Sequence, residues 1–333
     1  MIEQPPIQPT PVGALRFNTD SSRLEYFDGN QFVNITTDSP EQNTGGALGV
    51  YMGGSPGIDT IDEVQISTTG DAVDFGNLTV ARNDNGDGGM ASRTRGFFAR
   101  GASPITGRIE FITFSSRGDG TTFGTMSNSI TNAASSASDS TRGLMFGGYA
   151  APSSLNVIQY ITMASSGNGV DFGDLVETGA SSAFGSPTRA IVRGSATNTL
   201  SFVTISTLGN SADFGDSTYA GTHTAWGSNA IRGVSFGGEL QPSGDKINVI
   251  EFATIATLGN AQDFGDLTEE KGNSATASDC IRGVRMGGSN GGSNNITMDY
   301  IAIATQGDAV DFGDLATGQG EGAGCSNAHG GLG

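Results

Sequence analysis

Side chains suited to acid–base or nucleophilic chemistry are scarce in this sequence. Its 333 residues include two histidines, His223 and His329, and two cysteines, Cys280 and Cys325. A hydrolytic triad needs a histidine beside its nucleophile, and a zinc site usually takes several histidine or cysteine ligands. We therefore predict no catalytic residue, no bound metal and no cofactor. The cysteines allow one disulfide at most, and we expect instead two small apolar residues on strands.

Carboxylates, in contrast, recur in pairs along the chain. Such pairs offer the oxygen ligands that Ca²⁺ prefers, but the same side chains also cap turns and pair with arginines. Because the pairs recur almost unchanged, we favour the structural interpretation, since a catalytic or metal site departs from its surrounding repeat. The pairs are Asp171/Asp174, Asp213/Asp216, Asp263/Asp266 and Asp311/Asp314.

Enzyme classes with recognisable motifs find little support. The chain has no Ser-x-Asp-x-Gly-x-x-Trp box of the kind found in some propeller glycosidases, and its one tryptophan is Trp226. The glycine-rich stretch at 287–294 lacks the lysine and the following helix of a phosphate-binding loop. We predict that the protein is not an enzyme, with a hydrolase of host-envelope glycans kept as an alternative.

Composition excludes two classes of partner. Lys and Arg number 16 against 34 Asp and Glu, for a net charge of −18. Nucleic-acid binding needs clustered basic residues, and an anionic membrane surface would repel this chain. No apolar run reaches the length of a membrane span. We therefore expect neither nucleic-acid binding nor membrane insertion.

An internal repeat decides the predicted architecture. The phrase Asp-Phe-Gly-Asp, with small changes, surrounds phenylalanines spaced 42 to 50 residues apart. An Arg-Gly dipeptide followed by apolar residues forms a second marker, and the segment 48–54 fits the same frame without its arginine. Glycine-rich turns separate alternating segments such as 156–165, a pattern typical of strands. The phenylalanines are Phe75, Phe123, Phe172, Phe214, Phe264 and Phe312.

Each copy contains four short strands, the size of a propeller blade. The sequence thus predicts an all-β protein: a six-bladed β-propeller over 45–333. The first copy has no small-residue strand of its own, whereas the last copy is followed by a surplus one, so 320–331 should pair beside 47–54 and close a split blade. The predicted blades are 45–80 plus 320–331, 88–127, 132–176, 179–218, 221–268 and 272–316.

These repeats resemble a divergent kelch-type propeller. The resemblance rests on the glycine pair that ends the second strand, the arginine between blades and the aromatic residue on the fourth strand. It covers about residues 45–333 and departs from kelch repeats in placing Phe rather than Trp on the fourth strand. The partner-binding habits of kelch proteins do not carry over.

The segment before the repeats has a different pattern. After an arm at 1–11, residues 12–36 contain three short strands separated by turn residues, followed by a polar linker at 37–44. So small a sheet needs a neighbour to cover one face, either the propeller or another subunit. We favour another subunit and predict a docking surface formed by Leu15, Phe17, Leu24, Tyr26, Phe32 and Ile35.

The pattern GALRFNT…RLEYFDG…F in this segment resembles a short module found in structural proteins of tailed bacteriophages. The repeats NVIQYITMASSGNGVDFGDL and VIEFATIATLGNAQDFGDL look like repeats in virion proteins of marine tailed phages. The resemblance implies a non-enzymatic virion protein, a tail fibre or baseplate appendage used in host adsorption or assembly. It would be present in several copies and bind other virion proteins through the N-terminal module. The alternatives are a capsid decoration or head-fibre protein, and a carbohydrate-binding lectin.

Specificity for a host-surface glycan or protein would lie in the loops that vary between copies. Lone aromatic residues in or near these loops suit stacking on sugars or contact with a protein. We therefore single out Tyr149, Tyr219 and Trp226, although for Trp226 we prefer the alternative that it fills a gap between blades at a core position of a first strand.

Overall fold

The computed structural model describes residues 10–18, 23–34, 47–82, 89–99, 107–127, 135–150 and 152–332. They form antiparallel β-sheets with one 3-10 turn, Gly330–Leu332, and these ranges contain no α-helix. Accordingly, the described part of the chain has no helix able to cross a membrane. The chain divides into two compact units, Met1–Gln42 and Asn43–Gly333. The all-β class predicted from the sequence is confirmed.

The strands are short and follow the sequence repeat. The first fourteen are β1 (Leu15–Asn18), β2 (Arg23–Phe27), β3 (Phe32–Asn34), β4 (Leu48–Met52), β5 (Ile58–Gln65), β6 (Val73–Arg82), β7 (Gly89–Ala91), β8 (Arg95–Ala99), β9 (Arg108–Thr113), β10 (Thr121–Thr125), β11 (Ser135–Ser138), β12 (Arg142–Phe146), β13 (Tyr149–Ala150) and β14 (Ser153–Ser154). The others are β15 (Val157–Thr162), β16 (Val170–Asp174), β17 (Ala180–Gly185), β18 (Arg189–Gly194), β19 (Thr197–Thr204), β20 (Ala212–Thr222), β21 (Ala225–Ser228), β22 (Arg232–Leu240), β23 (Lys246–Thr254), β24 (Gln262–Asp266), β25 (Ala275–Ser278), β26 (Arg282–Met286), β27 (Thr297–Ala302), β28 (Val310–Asp314) and β29 (Ala323–Ser326).

The first unit is a three-stranded meander of β1, β2 and β3. Its second turn is held by Asp28, whose Oδ1 accepts hydrogen bonds from the amides of Asn30 and Gln31, both at 2.8 Å. Gly29 in this turn has a φ of +105°, which glycine adopts without steric cost. The turn chemistry read from the sequence thus accounts for the hairpin.

Within the described residues, the second unit consists of six four-stranded antiparallel sheets and a small two-stranded hairpin of β13 and β14. Sheets 4 and 5 are joined further by a short pairing of β20 with β22. The sheets, from first to fourth strand, are sheet 1 (β29, β4, β5, β6), sheet 2 (β7, β8, β9, β10), sheet 3 (β11, β12, β15, β16), sheet 4 (β17, β18, β19, β20), sheet 5 (β21, β22, β23, β24) and sheet 6 (β25, β26, β27, β28).

Sheet 1 joins the two ends of the repeat region. β29 pairs antiparallel with β4 in a register that sets Ala323 opposite Met52 and Ser326 opposite Gly49. The predicted pairing of the 320–331 segment with the first strand of the repeats is therefore confirmed. Without β29, β4 would present an unpaired sheet edge, which is a template for aggregation.

Apolar side chains fill the space between consecutive sheets. The second and third strands of each sheet are covered on both faces. This explains why apolar residues occupy successive positions along these strands instead of every other position. Between sheets 3 and 4, for example, Phe146 and Ile158 pack with Val192 and Ile205. A comparable cluster lies between every consecutive pair, and the one between sheets 6 and 1 completes the cycle. Burying each such side chain contributes about 1.5–3 kcal/mol.

The first strands of the six sheets contact each other in the same cyclic order. Serine and threonine hydroxyls connect them: Ser138 Oγ donates to the carbonyl of Ala91 and Ser278 Oγ to that of Ser228. Space here is tight, since a Cβ at Gly89 would lie 2.1 Å from the carbonyl oxygen of Gly324. The small residues of these strands are therefore required by close packing of the strands around an axis.

The repeated Phe-Gly phrase forms a joint between neighbouring sheets. Gly259 in the turn before β24 donates its amide to the carbonyl of Phe214 on β20 (2.9 Å), and Asn260 Oδ1 accepts from the amide of Asp216 (3.1 Å). An Asp or Asn Oδ1 accepts from a main-chain amide of the neighbouring sheet in the same way at all six joints. These residues are Asp71, Asp119, Asn168, Asn210, Asn260 and Asp308.

The repeated arginines form a second link between sheets, and it is not the one predicted. Arg232 lies with its guanidinium 4.8 Å from the ring centroid of Phe252 and donates to the carbonyls of Ile303 and Ala304 in sheet 6. Its partners are thus an aromatic face and main-chain oxygens. The expected pairing of these arginines with the repeated aspartates is wrong, because those carboxylates lie on the outermost strands. The same arrangement holds for Arg95, Arg142, Arg189 and Arg282.

Residues 327–332 lie against the C-terminal ends of the first strands, near Ser138, Gly185 and Asn229. His329 is half-buried. Its Nδ1 accepts from the amide of Gly331 (3.1 Å), and its Nε2 therefore donates to the carbonyl of Ala91 (2.8 Å). The 3-10 turn that follows contacts β11, β17 and β21. Behind it the axis retains a cavity of about 50 Å³, lined mainly by glycine, alanine and serine.

Unfolding of the second unit should depend on pH through His329. Burial lowers the pKa of this imidazole from the ordinary 6.5, opposed by the carbonyl of Ala91 and by Asp139, with Arg93 acting in the same direction as burial. The unfolded chain then binds more protons than the folded one below about pH 6.5, so stability is full at neutral pH and falls on acidification. We expect the midpoint of thermal unfolding to decrease between pH 7 and 5, and His329→Gln to flatten that decrease. Equal slopes for both proteins would contradict this assignment.

Candidate functional site

The largest departure from the repeat in sheets 4 to 6 is a set of charged residues. Both lysines of the chain lie here, Lys246 on β23 and Lys271 before β25. They occupy the end of the sheets where the second strand leads to the third and the fourth strand leads to the next sheet. The Arg-Gly and Phe-Gly joints lie at the opposite end. Both lysines thus lie on the side with the variable loops.

A surface cluster joins His223, Glu239 and Lys246. Glu239 and Lys246 face each other across β22 and β23 and form an ion pair. His223 Nδ1 lies 3.1 Å from the second oxygen of Glu239, and its side chain is 30% exposed. His223 has a φ of +55°, an uncommon conformation for a residue with a Cβ, often associated with function. Burial lowers the pKa of Lys246, opposed by the charge of Glu321.

A second cluster is buried between sheets 5 and 6. Arg285 donates to the carboxylate of Asp299, and Lys271 forms an ion pair with Glu269. Burial, followed by the charge of Arg285, lowers the pKa of Lys271. Burial is the largest single influence on Glu269 and opposes its ionisation. The hydrogen bond and charge of Lys271, the hydrogen bond of Thr297 and the charge of Arg285 together outweigh burial and lower the pKa of that carboxyl. Every charge in this cluster has a partner within it.

Arg193 forms a third cluster, between sheets 4 and 5. Its side chain is fully buried at the second-strand position that Phe146, Phe236 and Met286 hold in other sheets. Its guanidinium lies 4.5 Å from the ring centroid of Tyr219 and donates to the Tyr219 carbonyl at 2.6 Å. Nε and Nη1 have no protein partner, which suits a buried water.

The structure agrees with the preferred interpretation of Trp226 as a residue that fills a gap between sheets, and it contradicts the prediction of Tyr219 as a free surface aromatic residue. Trp226 is 3% exposed and stacks on Phe184 with ring centroids 4.4 Å apart. Tyr219 is half-buried, and its hydroxyl donates to the carbonyl of Gly237 at 2.8 Å, while burial raises its pKa. Both are packing residues between sheets 4 and 5. The backbone of Tyr149 pairs with Ser154, and its side chain lies outside the described residues.

The meander residues separate onto two faces. Strand register sets Leu15 opposite Tyr26 and Phe17 opposite Leu24, so these four share one face. They are 64%, 40%, 62% and 43% exposed, respectively. Phe32 pairs with Phe27 on the opposite face, so its predicted place in the same surface is wrong. Ile35 lies outside the described residues.

The opposite face of the meander is internally paired. Arg16 forms an ion pair with Glu25 at 2.8 Å and lies 3.7 Å from the ring centroid of Phe32. Asn18 also donates to Glu25 at 2.9 Å, and this hydrogen bond, followed by that of Arg16, lowers the pKa of the carboxyl. The meander is thus polar and paired on one side, apolar and exposed on the other.

The variable loops enclose one open groove large enough for a ligand. It lies between the β22–β23 hairpin and the β26–β27 loop, with a volume of about 560 Å³. Asp245, Lys246, Glu270 and Asn290 line it together with Leu240. Such a mixture can hydrogen-bond a polar ligand. The described residues contain no group of three or more His, Cys, Asp or Glu arranged for a metal.

The sequence analysis missed His223, Glu239 and Lys246. The available signal was the position of the only two lysines, which fall 25 residues apart in a chain that otherwise uses arginine. Their partners could not be foreseen, because pairing of Glu239 with Lys246 depends on the register of a long hairpin. The sequence spacing of His223 and Glu239 carries no such information.

Comparison with known proteins informs the fold alone. No family model matches the chain, and no curated protein does. Among solved structures, that of the protein YjhT superposes with a TM-score of 0.59 and 11% sequence identity. The match covers 73% of this chain and 88% of YjhT. At this identity the similarity concerns backbone architecture and carries no role from one protein to the other.

Proposed function

We propose that the six sheets are the blades of a kelch-like β-propeller whose first blade is split between β29 and β4. Support comes from the cyclic order of the sheet contacts and from the six apolar clusters, each between consecutive sheets. The six equivalent joints point the same way, since the joint from β28 returns to Asp71 in sheet 1. Closure of this kind leaves no unpaired inner edge.

We further propose that the protein is a non-enzymatic virion structural protein of a tailed bacteriophage, located on a tail fibre or baseplate appendage. The observation that carries this proposal is the exposed apolar face of the meander, formed by Leu15, Phe17, Leu24 and Tyr26. Four adjacent apolar side chains exposed by 40% or more indicate an interaction surface. The resemblance of this segment to phage structural modules supplies the class of partner.

In this role the two units have separate tasks. The meander docks onto another virion protein, and the propeller presents its variable loops to a host-surface glycan or protein, or to neighbouring subunits. The net charge of −18 keeps such a display unit soluble and discourages its self-association. Specific contact would then come from shape and hydrogen bonding in the loops.

The groove between the β22–β23 hairpin and the β26–β27 loop favours a second candidate, a carbohydrate-binding lectin. Asp245, Glu270 and Asn290 offer the acceptors and donors that sugar hydroxyls need, and Leu240 offers an apolar contact. Because Asp245, Glu270 and Asn290 lie in loops outside the repeated strands, one site per chain is expected rather than six. A capsid decoration or head-fibre position remains the alternative within the virion class.

Labelling of purified phage particles with antibody-gold tests the proposal. We expect label on the particle, and at least a tenfold loss of it when Phe17→Ser and Leu24→Ser remove the apolar face, because docking depends on burying these side chains. Gln31→Ser, at an exposed turn of the same meander, is the matched control and should label normally.

Absence of label on particles whose other proteins do label would overturn the virion role. Unchanged label in the double variant would overturn docking through this face. A thermal unfolding curve for each variant confirms that the second unit is intact. A glycan array probed with the same preparations separates the lectin candidate, since a lectin binds sugar whether or not the meander is altered.

A further inference from the structure

Sheet 1 breaks the arginine–aromatic repeat at both of its positions. Strand register sets Leu48 where the other five sheets carry arginine, and Glu63 where they carry phenylalanine or tyrosine. Leu48 pairs with Gln65 as Arg232 pairs with Thr254, and Val50 pairs with Glu63 as Val234 does with Phe252. The stack that fills this space elsewhere is therefore absent from sheet 1.

An open groove of about 400 Å³ occupies the place of the missing stack. Its walls include Leu48, Val64 and Val73, and its charged residues are Glu63, Asp71 and Arg117. The exposed side chain of Val73 and the side chain of Leu48 provide apolar surface beside the carboxylates. A long side chain with a charged end would find both a wall for its stem and an acceptor for its head.

Glu63 has an unused acceptor at this groove. The side chain is 2% exposed, and Oε1 accepts from Arg117 Nη2, whereas Oε2 has no partner. A buried carboxylate oxygen without a donor is costly, and such cases call for an explanation. Arg117 reaches Glu63 from the β9–β10 turn of sheet 2 with a φ of +51°. Its side chain remains 62% exposed, so the groove stays open.

The other five sheets show which group fits this space. In each, a guanidinium lies 4.7 to 5.2 Å from an aromatic ring centroid and donates to a carbonyl just after the third strand of the next sheet. For Arg95 of sheet 2, these acceptors are the carbonyls of Met163 and Ala164, which follow β15 of sheet 3. By register, the equivalent carbonyls for sheet 1 are those of Phe114 and Ser115. A carboxylate in place of the ring makes the position still more favourable to a cation.

We propose that the groove of sheet 1 binds the guanidinium of an arginine side chain presented by another protein. The guanidinium donates to Glu63 Oε2 and to the carbonyls of Phe114 and Ser115, while its stem lies against Leu48 and Val73. Glu63, Asp71 and Arg117 together leave one negative charge to be neutralised. The planar fork of arginine, with several donors, suits this set better than the compact ammonium of lysine. This site does not depend on the virion role.

A capped Gly-Arg-Gly peptide, followed by ligand-observed NMR on the full chain, tests the proposal. We expect the unaltered protein to bind capped Gly-Arg-Gly saturably and to bind capped Gly-Lys-Gly at least tenfold more weakly. We expect Glu63→Gln, which removes the charged acceptor, to bind capped Gly-Arg-Gly at least tenfold more weakly than the unaltered protein does. Asp213→Asn is the matched control, because it removes an exposed strand charge from β20 in sheet 4, which shares no joint or apolar cluster with sheet 1. Binding to this control should equal that of the unaltered protein.

Leu48→Arg provides a test that does not depend on weakening the fold. The new guanidinium restores the residue type of the other sheets and competes for Glu63, so peptide binding should disappear while the thermal midpoint is unchanged or higher. Binding that persists in both Glu63→Gln and Leu48→Arg, or no saturable binding to the unaltered protein, would overturn the proposal. Equal affinity for the two peptides would overturn the choice of guanidinium.

Discussion

Gly215→Ala is expected to lower the free energy of unfolding far more than Gly259→Ala, although both glycines have a φ of +147°. At either position the fold holds the backbone in a conformation nearly exclusive to glycine, and an alanine that adopts this conformation costs about 1–3 kcal/mol. At Gly215 the same Cβ would also lie 2.4 Å from the carbonyl oxygen of Gly259, whereas at Gly259 no atom is within 4 Å. The clash adds about 1–3 kcal/mol, because the two sheets must separate locally.

Urea unfolding of the two variants beside the unaltered protein measures this difference. The comparison isolates the approach of one sheet to the next, since backbone strain is common to both substitutions. Equal losses of stability would show that the joint between β20 and the turn before β24 tolerates separation. The clash recurs at Gly76, Gly124, Gly173, Gly265 and Gly313, so any of these positions can replicate the experiment.

Deleting residues 320–333 should lower the thermal midpoint by at least about 10 °C, corresponding to several kcal/mol for a unit of this size. The deletion removes β29, leaving β4 without a partner on one side. It also takes Ala323 and Cys325 from the apolar cluster between sheets 1 and 2, and His329 from the C-terminal ends of the first strands. The cycle of sheet contacts is then open.

The matched deletion removes residues 1–42, the other compact unit. We expect this shortened protein to unfold at an unchanged midpoint, because the sheets of the second unit form their hydrogen bonds and apolar clusters among themselves. Calorimetry of both deletions makes the comparison. A similar midpoint for the chain lacking 320–333 and the unaltered protein would show that β29 contributes little to the fold.

Much of the fold was predictable because its determinants are local or periodic. Alternation along segments such as 156–165 and the glycine-rich turns predicted the strands, and the surplus small-residue strand predicted the pairing of β29 with β4. The roles of the repeated markers were not predictable. The guanidinium of Arg232 reaches sheet 6, some 70 residues away, and nothing in an Arg-Gly dipeptide identifies a main-chain acceptor at that distance.

Prediction of functional residues was poorer, for reasons of register. Phe32 follows a turn that sets it opposite Phe27, and a shift of one residue moves a side chain to the other face of a sheet. Trp226 was one of the residues named for recognition, but the preferred alternative of a gap-filling residue is the one observed, because its side chain packs in the cluster that contains Phe184. The missing arginine at Leu48 was visible in the sequence repeat, whereas Glu63 became visible as an exception only after the register of five other sheets showed an aromatic residue at its position.

The cyclic joints distinguish this unit from an open array of repeats. In an open array the end repeats have one neighbour and fray, and unfolding spreads inward from them. Here every sheet is joined to two others, because the turn of sheet 1 receives β28 of sheet 6. Release of a single sheet thus breaks two joints and two apolar clusters at once. We therefore expect the six sheets to unfold as a single cooperative unit rather than to fray from an end.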